Sequence, residues 1–320
     1  MVAIGYSLMT EQRAPADLVA DATLAENAGF DFSTISDHFH PWVEAQGHSP
    51  YMWSVLGAIS QVTKTLPLLP YVTVPTIRYH PAIVAQKAAT MALLAPGRFR
   101  LGLGSGENLN EHVVGEGFPG VDVRQAMMEE AIQIMRELWK GDYVTFRGDY
   151  FDVERARLFD LPDEEIEIGV AAGGKQAAEV AAEAGEFLIT TSPDAEVIEA
   201  FNKAGGKGRA IVGQTTVCWG PDQQAARKLA HKMHGWSVGG WKIKAELVGP
   251  ESFQELADIV TEEMVAESVP CGPDLDKIVE SIKPFVDAGF TEVAITQIGP
   301  DQEGFCEVFK KELGPKLRKL

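Results

Sequence analysis

The sequence predicts a (β/α)₈ barrel. Short β-branched runs alternate with longer helical patterns along nearly all of the 320 residues, and strands joined by helical crossovers must run parallel. About eight such units suit a barrel with insertions. The alternative, a doubly wound open sheet, more often carries a glycine-rich motif in its first strand–helix turn, whereas this turn begins Tyr6-Ser7-Leu8-Met9. We expect a single domain over residues 1–320, with an insertion or lid at about 220–274.

The first half of the chain supplies the first four strands. Helical spacing of Leu18, Ala22, Leu24 and Ala28 predicts a helix, which Gly29 ends. Alternating residues on both sides of Arg147-Gly148-Asp149 predict a hairpin over residues 143–153. The other predicted elements are strands at Val2–Tyr6, between Ala28 and Asp37, at Leu68–Val74 and at Phe99–Gly106, with helices at Asp17–Ala28 and Val123–Lys140.

The second half repeats the alternation. Its predicted strands lie within residues 167–174, 187–192, 210–220 and 292–299. Its predicted helices cover Lys175–Ala184, a segment after Asp194, Leu275–Ala288 and a last stretch that ends at Leu313. Residues 220–274 are the least regular part, because glycines surround Trp236 and Trp241 there.

Composition restricts the class of protein. Apolar residues make up 45% and charged residues 23%, as in a soluble globular chain. A net charge of −18 repels nucleic acid and anionic lipid, and no apolar run is long enough for a membrane span. Cys218, Cys271 and Cys306 lie far apart, so we expect no disulfide framework and a reducing, cytoplasmic location. The N-terminus shows no signal-peptide pattern.

The reactive side chains of a (β/α)₈ barrel lie just after the carboxyl ends of its strands. The segment after the second predicted strand contains several such side chains. Asp37, His38, His40 and Trp42 fall within seven residues. His38 could act as a general base with Asp37 holding its tautomer. In the alternative interpretation Asp37 caps a helix while His40 and Trp42 pack under a loop.

A metal is a further alternative for the two histidines of this segment. It needs a third ligand, which His80 or His112 could supply, but their spacing does not demand it. We therefore predict no metal site.

Two glycine-rich strand ends complete the pattern. Residues 102–111 place Glu107 after glycines that would let a flat ligand approach the backbone. Residues 171–175 (A-A-G-G-K) open a helix whose N–H groups, with Lys175, suit a phosphate. Each run could also be an ordinary tight turn, and Lys175 could be an exposed lysine without a role.

Three runs resemble the coenzyme F420-dependent glucose-6-phosphate dehydrogenases and secondary alcohol dehydrogenases of the luciferase-like superfamily. They are S-D-H-F-H-P-W (36–42), T-I-R-Y-H-P-A-I-V-A-Q (76–86) and G-S-G-E-N-L-N-E (104–111). The likeness extends over nearly the whole chain and is weakest at about 205–274. It implies a luciferase-like (β/α)₈ barrel that binds a deazaflavin, as a homodimer.

The resemblance also implies roles. His38 would take the substrate hydroxyl proton as hydride passes to C5 of the cofactor, Glu107 would exchange a proton near the deazaflavin N1, and Trp42 would wall the site. A non-prolyl cis peptide would fall at Tyr71–Val72, and Val74 replaces a cofactor-contacting Thr of the sugar phosphate enzymes. The implied cofactor contacts are Asp37, Tyr71, Val72, Val74, Ser105, Gly106, Asn110, Gly173, Gly174, Lys175, Gln176 and Ala177.

The substrate contacts depart from the family pattern. The sugar phosphate enzymes use lysines and an arginine for the phosphate, whereas this chain has Thr191-Ser192-Pro193-Asp194 at the first lysine's segment. Residues 245–276 contain nine acidic residues and no Lys or Arg, although Lys242 or Lys244 could restore a cation. We therefore predict a neutral alcohol or unphosphorylated sugar, bound by Thr191 and Asp194.

Other functions stay open at this stage. They are an F420H2-dependent reductase of activated rings or alkenes, a sugar-6-phosphate dehydrogenase with a rebuilt phosphate site, an FMN monooxygenase, and a deazaflavin carrier without catalysis. The run at residues 36–42 argues against the monooxygenase, and the presence of both His38 and Glu107 argues against the carrier.

Overall fold

The computed structural model describes residues 2–320. Eight of its strands form one parallel sheet and two form a separate antiparallel hairpin. The strands are β1 (Ala3–Leu8), β2 (Phe32–Ile35), β3 (Leu68–Pro70), β4 (Leu101–Leu103), β5 (Val144–Arg147), β6 (Asp152–Ala156), β7 (Ile168–Ala171), β8 (Phe187–Ile189), β9 (Ile211–Val217) and β10 (Glu292–Gln297).

The parallel sheet is a barrel. Its strand order is β3-β2-β1-β10-β9-β8-β7-β4, and parallel bridges Leu68–Phe99 and Thr73–Leu103 join the two end strands. The predicted (β/α)₈ barrel is confirmed. The predicted hairpin is confirmed as well, since β5 and β6 pair antiparallel around residues 148–151.

Helices surround the barrel. They are α1 (Pro15–Ala28), α2 (Met52–Val62), α3 (Pro81–Leu94), α4 (Asn108–Glu111), α5 (Val121–Leu138), α6 (Lys175–Ala184), α7 (Ala195–Phe201), α8 (Gln223–His234), α9 (Trp241–Lys244), α10 (Gly249–Asp258), α11 (Glu262–Ser268), α12 (Leu275–Asp287), α13 (Gln302–Val308) and α14 (Gly314–Leu317). Single 3₁₀ or π turns occur at Glu44–Gln46, His112–Val114, Asn202–Gly206, Gly235–Ser237 and Phe309–Leu313.

Side chains of each strand alternate between two cores. Outward residues such as Ile4 and Val293 pack against the helices in the largest hydrophobic cluster. Inward residues such as Phe32, Phe187 and Ala294 form a smaller cluster inside the barrel. This alternation decides which strand residues can face a ligand at the carboxyl ends of the strands.

The structure differs from the sequence prediction at several boundaries. The predicted strand Leu68–Val74 is interrupted, because β3 ends at Pro70 and a cis peptide joins Tyr71 to Val72. The last helix, predicted to end at Leu313, continues through a π turn to Leu317. Residues 220–274, predicted as irregular, are mostly helical and form α8 to α11.

Candidate active site

His38 lies directly after β2, and carboxylates lie at both ring nitrogens. Its Nε2 is 3.0 Å from Glu107 Oε1, and its Nδ1 is 3.3 Å from Glu11 Oε1. Nδ1 also lies 3.2 Å from the carbonyl oxygen of His40. The expectation that Asp37 holds this ring is wrong, because Glu11 and the His40 carbonyl occupy Nδ1 instead.

This arrangement changes the protonation of His38. Burial alone would lower its pKa, but the negative charges of Glu11 and Glu107, with the hydrogen bond to Glu107, raise that pKa to about 9. His38 therefore holds its proton at neutral pH, so the expectation of a neutral base near pH 7 needs correction. It is ready to donate a proton at pH 7 and to accept one at higher pH.

Glu107 stands at the start of α4, after β4, and Asn110 fixes it. Asn110 Nδ2 donates to Glu107 Oε1 at 3.0 Å, while Asn110 Oδ1 accepts from the backbone N–H groups of Phe39 and His40. The Asn110 side chain therefore connects the loops after β2 and β4. It was predicted to bind a cofactor, and here its amide is used to hold the His38–Glu107 pair in place.

A buried ion network lies beneath this pair. Asp37 accepts hydrogen bonds from Thr73 (2.8 Å) and Tyr79 (3.2 Å), and its main-chain oxygen accepts one from Arg78 Nη2 (2.7 Å). The Arg78 N–H donates to Glu111 Oε2 at 2.8 Å. Burial raises the pKa of Glu111 to about 7, against the lowering effect of Arg78. Asp37 therefore supports the loops and offers little free carboxylate surface.

Trp42 forms the apolar wall. Its ring lies 4.8 Å from the His38 ring and stacks on Trp236 at 3.9 Å, with Phe253 edge-on at 5.1 Å. Trp236 and Phe253 belong to the segment 220–274. Trp42 is 8% exposed, so this segment covers it and excludes water from one side of His38.

Glycines at the end of β4 allow neighbouring side chains to pack directly against the backbone there. A Cβ on Gly104 would lie 2.4 Å from Val72 Cγ2, and Gly106 has a φ of 92°. Ser105 lies between them, half-buried, and Val74 packs against Gly106. Tyr71 points its hydroxyl into the barrel without a hydrogen-bond partner among the described residues, and burial raises its pKa.

The β7 side is more open. Gly173 precedes α6 and packs against Trp241, whose Cδ1 would lie 3.1 Å from a Cβ at that position. Gly174 is the N-cap of α6, which begins Lys175-Gln176-Ala177. Lys175 is exposed and pairs with Glu196 at 3.0 Å. The predicted cofactor contacts of this loop thus lie together, although the lysine is directed to a surface carboxylate.

The predicted substrate residues after β8 are exposed. Thr191 is exposed, and Asp194 caps α7 by accepting a hydrogen bond from the Glu196 N–H at 2.8 Å. One oxygen of Asp194 is therefore used by the helix. Their roles as substrate contacts stay predictions.

Sequence reasoning missed Glu11, Arg78 and Glu111 as parts of the site, and it named Lys244 only as one of two lysines that could restore a cation. Lys244 is buried on α9, donates to the Ser237 carbonyl at 2.5 Å and has its pKa lowered by burial. Glu11 follows β1 and accepts from Ser36 Oγ at 2.6 Å. The strand-end rule that selected His38 would have found Glu11. The burial of Lys244 had no comparable signal in the sequence.

The other histidines near the site have structural contacts of their own. His40 stacks on His112 at 5.7 Å, and His80 caps α3. Residues 2–320 contain no group of three or more His, Cys, Asp or Glu side chains placed to hold a metal ion.

Across residues 2–320, no helix combines the length and apolar character needed to cross a bilayer.

Comparison with known proteins identifies the family of the chain. The profile of the luciferase-like monooxygenase family matches residues 2–292, and the chain belongs to that family. The chain is 36% identical over 331 residues to the F420-dependent glucose-6-phosphate dehydrogenase of Mycobacterium avium (strain 104), covering 99% of this chain and 98% of that protein. The corresponding enzyme of Mycolicibacterium smegmatis is likewise 36% identical, with the same coverage.

Solved structures of similar proteins share the fold of this chain. An F420-dependent secondary alcohol dehydrogenase in complex with an F420–acetone adduct matches with a TM-score of 0.92 and 32% identity, covering 99% of this chain and 100% of that one. A coenzyme F420-dependent tetrahydromethanopterin reductase from Methanopyrus kandleri shares the fold, with a TM-score of 0.76 and 21% identity.

Proposed function

We propose that this protein is an F420-dependent oxidoreductase that transfers hydride between the hydroxyl-bearing carbon of an alcohol or sugar and C5 of the deazaflavin. The observation that carries the proposal is the His38–Glu107 pair, joined at 3.0 Å across the ends of β2 and β4 beside Trp42. The named activities of the relatives support it, because they combine this cofactor with alcohol and sugar substrates.

The mouth of the barrel fits a flat cofactor. Gly104 and Gly106 let Val72 and Val74 pack directly against the β4 end, which leaves the half-buried Ser105 and the backbone of this loop as the surface offered to a ring. The unpartnered hydroxyl of Tyr71 and that of Thr76 offer polar contacts nearby. Gly173 and Gly174 expose backbone at the start of α6, which suits an anionic tail.

When bound, the deazaflavin supplies a carbon that gives or accepts hydride. The chain supplies the proton chemistry and the positioning. In oxidation, neutral His38 keeps its one ring proton on Nδ1, toward Glu11, and accepts the substrate hydroxyl proton at Nε2; in reduction, protonated His38 returns that proton from Nε2. Glu107 Oε1 accepts from Asn110, and from Nε2–H when His38 is protonated, leaving Oε2 for a second proton. Trp42 keeps water away and holds the substrate against His38.

The charges around the mouth favour a neutral substrate. Asp194 stands where the sugar phosphate enzymes have a lysine, and residues 245–276 carry only acidic charges. Buried Lys244 favours a second candidate, a sugar phosphate, because its ammonium lies 5.6 Å from the centre of the Trp236 ring and within the electrostatic influence of Glu107. Its ammonium is already bonded to the Ser237 carbonyl, so we keep the neutral substrate first.

Three further statements are proposals. Residues 220–274 would act as a lid within a single domain, since Trp236 stacks on Trp42 and the Ala245 carbonyl accepts from the Asn108 N–H at 2.8 Å. A cytoplasmic location is supported by three buried free cysteines. The homodimer rests on resemblance to the family.

A spectroscopic screen tests the function. Oxidised F420 is mixed with the protein and with glucose, glucose-6-phosphate or propan-2-ol, and absorbance near 420 nm is followed. Loss of absorbance with an alcohol or sugar supports the proposal. Reduced cofactor consumed only by activated alkenes would favour the reductase, a yellow oxygen-consuming protein would favour the FMN monooxygenase, and tight F420 binding without turnover would favour the carrier.

A further inference from the structure

One half of the barrel interior carries hydroxyl groups at the level of the mouth. The inward positions of four adjacent strands (β2, β1, β10 and β9) are Thr34, Ser7, Thr296 and Thr216. The strand register pairs Ser7 with Thr34 and Thr296 with Thr216. We call these four residues the hydroxyl row.

Gln214 joins the hydroxyl row from one level below. Its side-chain amide lies 2.7 Å from Ser7 Oγ and 2.7 Å from Thr296 Oγ1. The Nε2 atom of Gln214 lies between these two hydroxyl groups, and the amide oxygen at Oε1 is left for a ligand. Gln214 and Thr216 are half-buried, whereas their neighbours Gly213, Thr215 and Val217 on the same strand are buried. Since Gln214 and Thr216 face inward, that exposed surface lies in the mouth.

A buried unpaired group points to the same place. Thr34 is fully buried, and its Oγ1 has no hydrogen-bond partner among residues 2–320. A buried hydroxyl without a partner costs free energy unless a ligand or water satisfies it. The other half of the interior is different, because glycines and apolar residues line it: Gly102, Gly104, Ala171 and Ile189.

We infer that the hydroxyl row and Gln214 form a subsite for hydroxyl groups of the substrate, which is an uncharged polyol or sugar. This inference rests on the proposed function and narrows its substrate class. Each sugar hydroxyl both donates and accepts a hydrogen bond, and serine, threonine and glutamine side chains can do both. The five residues are uncharged, so they offer no charge-assisted hydrogen bond to a phosphate, and they gain the most bonds with a substrate that carries several hydroxyls.

Two variants and a matched control test the subsite. Thr216→Val keeps shape and removes one hydroxyl, and Gln214→Leu removes the amide. Thr215→Val is the control, because Thr215 lies on the same strand with its side chain toward the helices. The readouts are kcat/KM for glucose and for propan-2-ol, the F420 dissociation constant from fluorescence, and saturation-transfer NMR of glucose with the cofactor-free protein.

Each test variant is expected to lower kcat/KM for glucose about tenfold, the size of one lost hydrogen bond. Propan-2-ol turnover and F420 affinity should stay within about twofold, and the NMR signal of glucose should weaken. Equal losses for glucose and propan-2-ol, a tenfold weaker F420 affinity, or no change at all would overturn the inference. If wild-type protein turned over neither compound, the proposed function would fail, and the NMR comparison would still decide the subsite.

Discussion

The two sides of the barrel mouth are built differently. On the β2–β4 side, the side chains of Asp37, Arg78 and Glu111 are buried beneath His38 and Glu107, and Arg78 pairs with both carboxylates. On the β7–β8 side, Lys175 and Asp194 are exposed, and their partners are a surface carboxylate and a helix N-terminus. The side that handles protons is therefore preorganised before any ligand binds. The other side is free to vary with the ligand.

The largest expected effect comes from His38. His38→Ala should lower alcohol or sugar oxidation by roughly 10²–10⁴-fold, because it removes the proton acceptor. F420 affinity, measured by fluorescence titration, should stay within a few-fold. Unchanged turnover would remove His38 from the mechanism.

The second prediction compares the stability of the two sides. Arg78→Met should lower the free energy of unfolding by about 3–5 kcal/mol, because it leaves Asp37 and Glu111 buried without a cation. Lys175→Met is the matched control on the β7 side and should leave stability unchanged within the error of denaturant unfolding. Equal effects of the two substitutions would contradict the comparison.

The third prediction concerns pH. Because Glu11 helps to raise the pKa of His38, Glu11→Gln should lower that pKa by about one unit or more. Oxidation requires neutral His38, so the rising limb of its pH–rate profile should move to lower pH, while reduction should fall off at lower pH. Glu107→Gln should also shift the profile and slow the reaction. A wild-type profile in Glu107→Gln would make that residue a binding or structural group.

The smallest expected effect separates the two substrate candidates. Asp194→Asn keeps a helix cap and removes the charge, so kcat/KM for glucose-6-phosphate should rise a few-fold while that for glucose stays constant. Lys244→Gln tests the other candidate, since it should lower only phosphate turnover if Lys244 binds that group. A wild-type kcat/KM for glucose-6-phosphate at least tenfold above every neutral alcohol and sugar would contradict the neutral substrate.

On the β2–β4 side, the sequence indicated single strand-end residues better than the ion network beneath them, for physical reasons. His38, Trp42 and Glu107 follow strands and carry distinctive chemistry, so pattern and resemblance selected them. The network of Asp37, Arg78 and Glu111 depends on which side chains meet across loops, and periodicity does not contain that information. The same holds for the burial of Lys244, whose ammonium lies over the Trp236 ring that stacks on Trp42.

The central claim is that two carboxylates keep His38 protonated at neutral pH. Its most direct test is an NMR titration of the His38 imidazole in the wild-type protein, assigned by comparison with His38→Gln. The account predicts a midpoint near pH 9, which moves down in Glu11→Gln. A midpoint near the ordinary value of about 6.5, unmoved by Glu11→Gln, would contradict it.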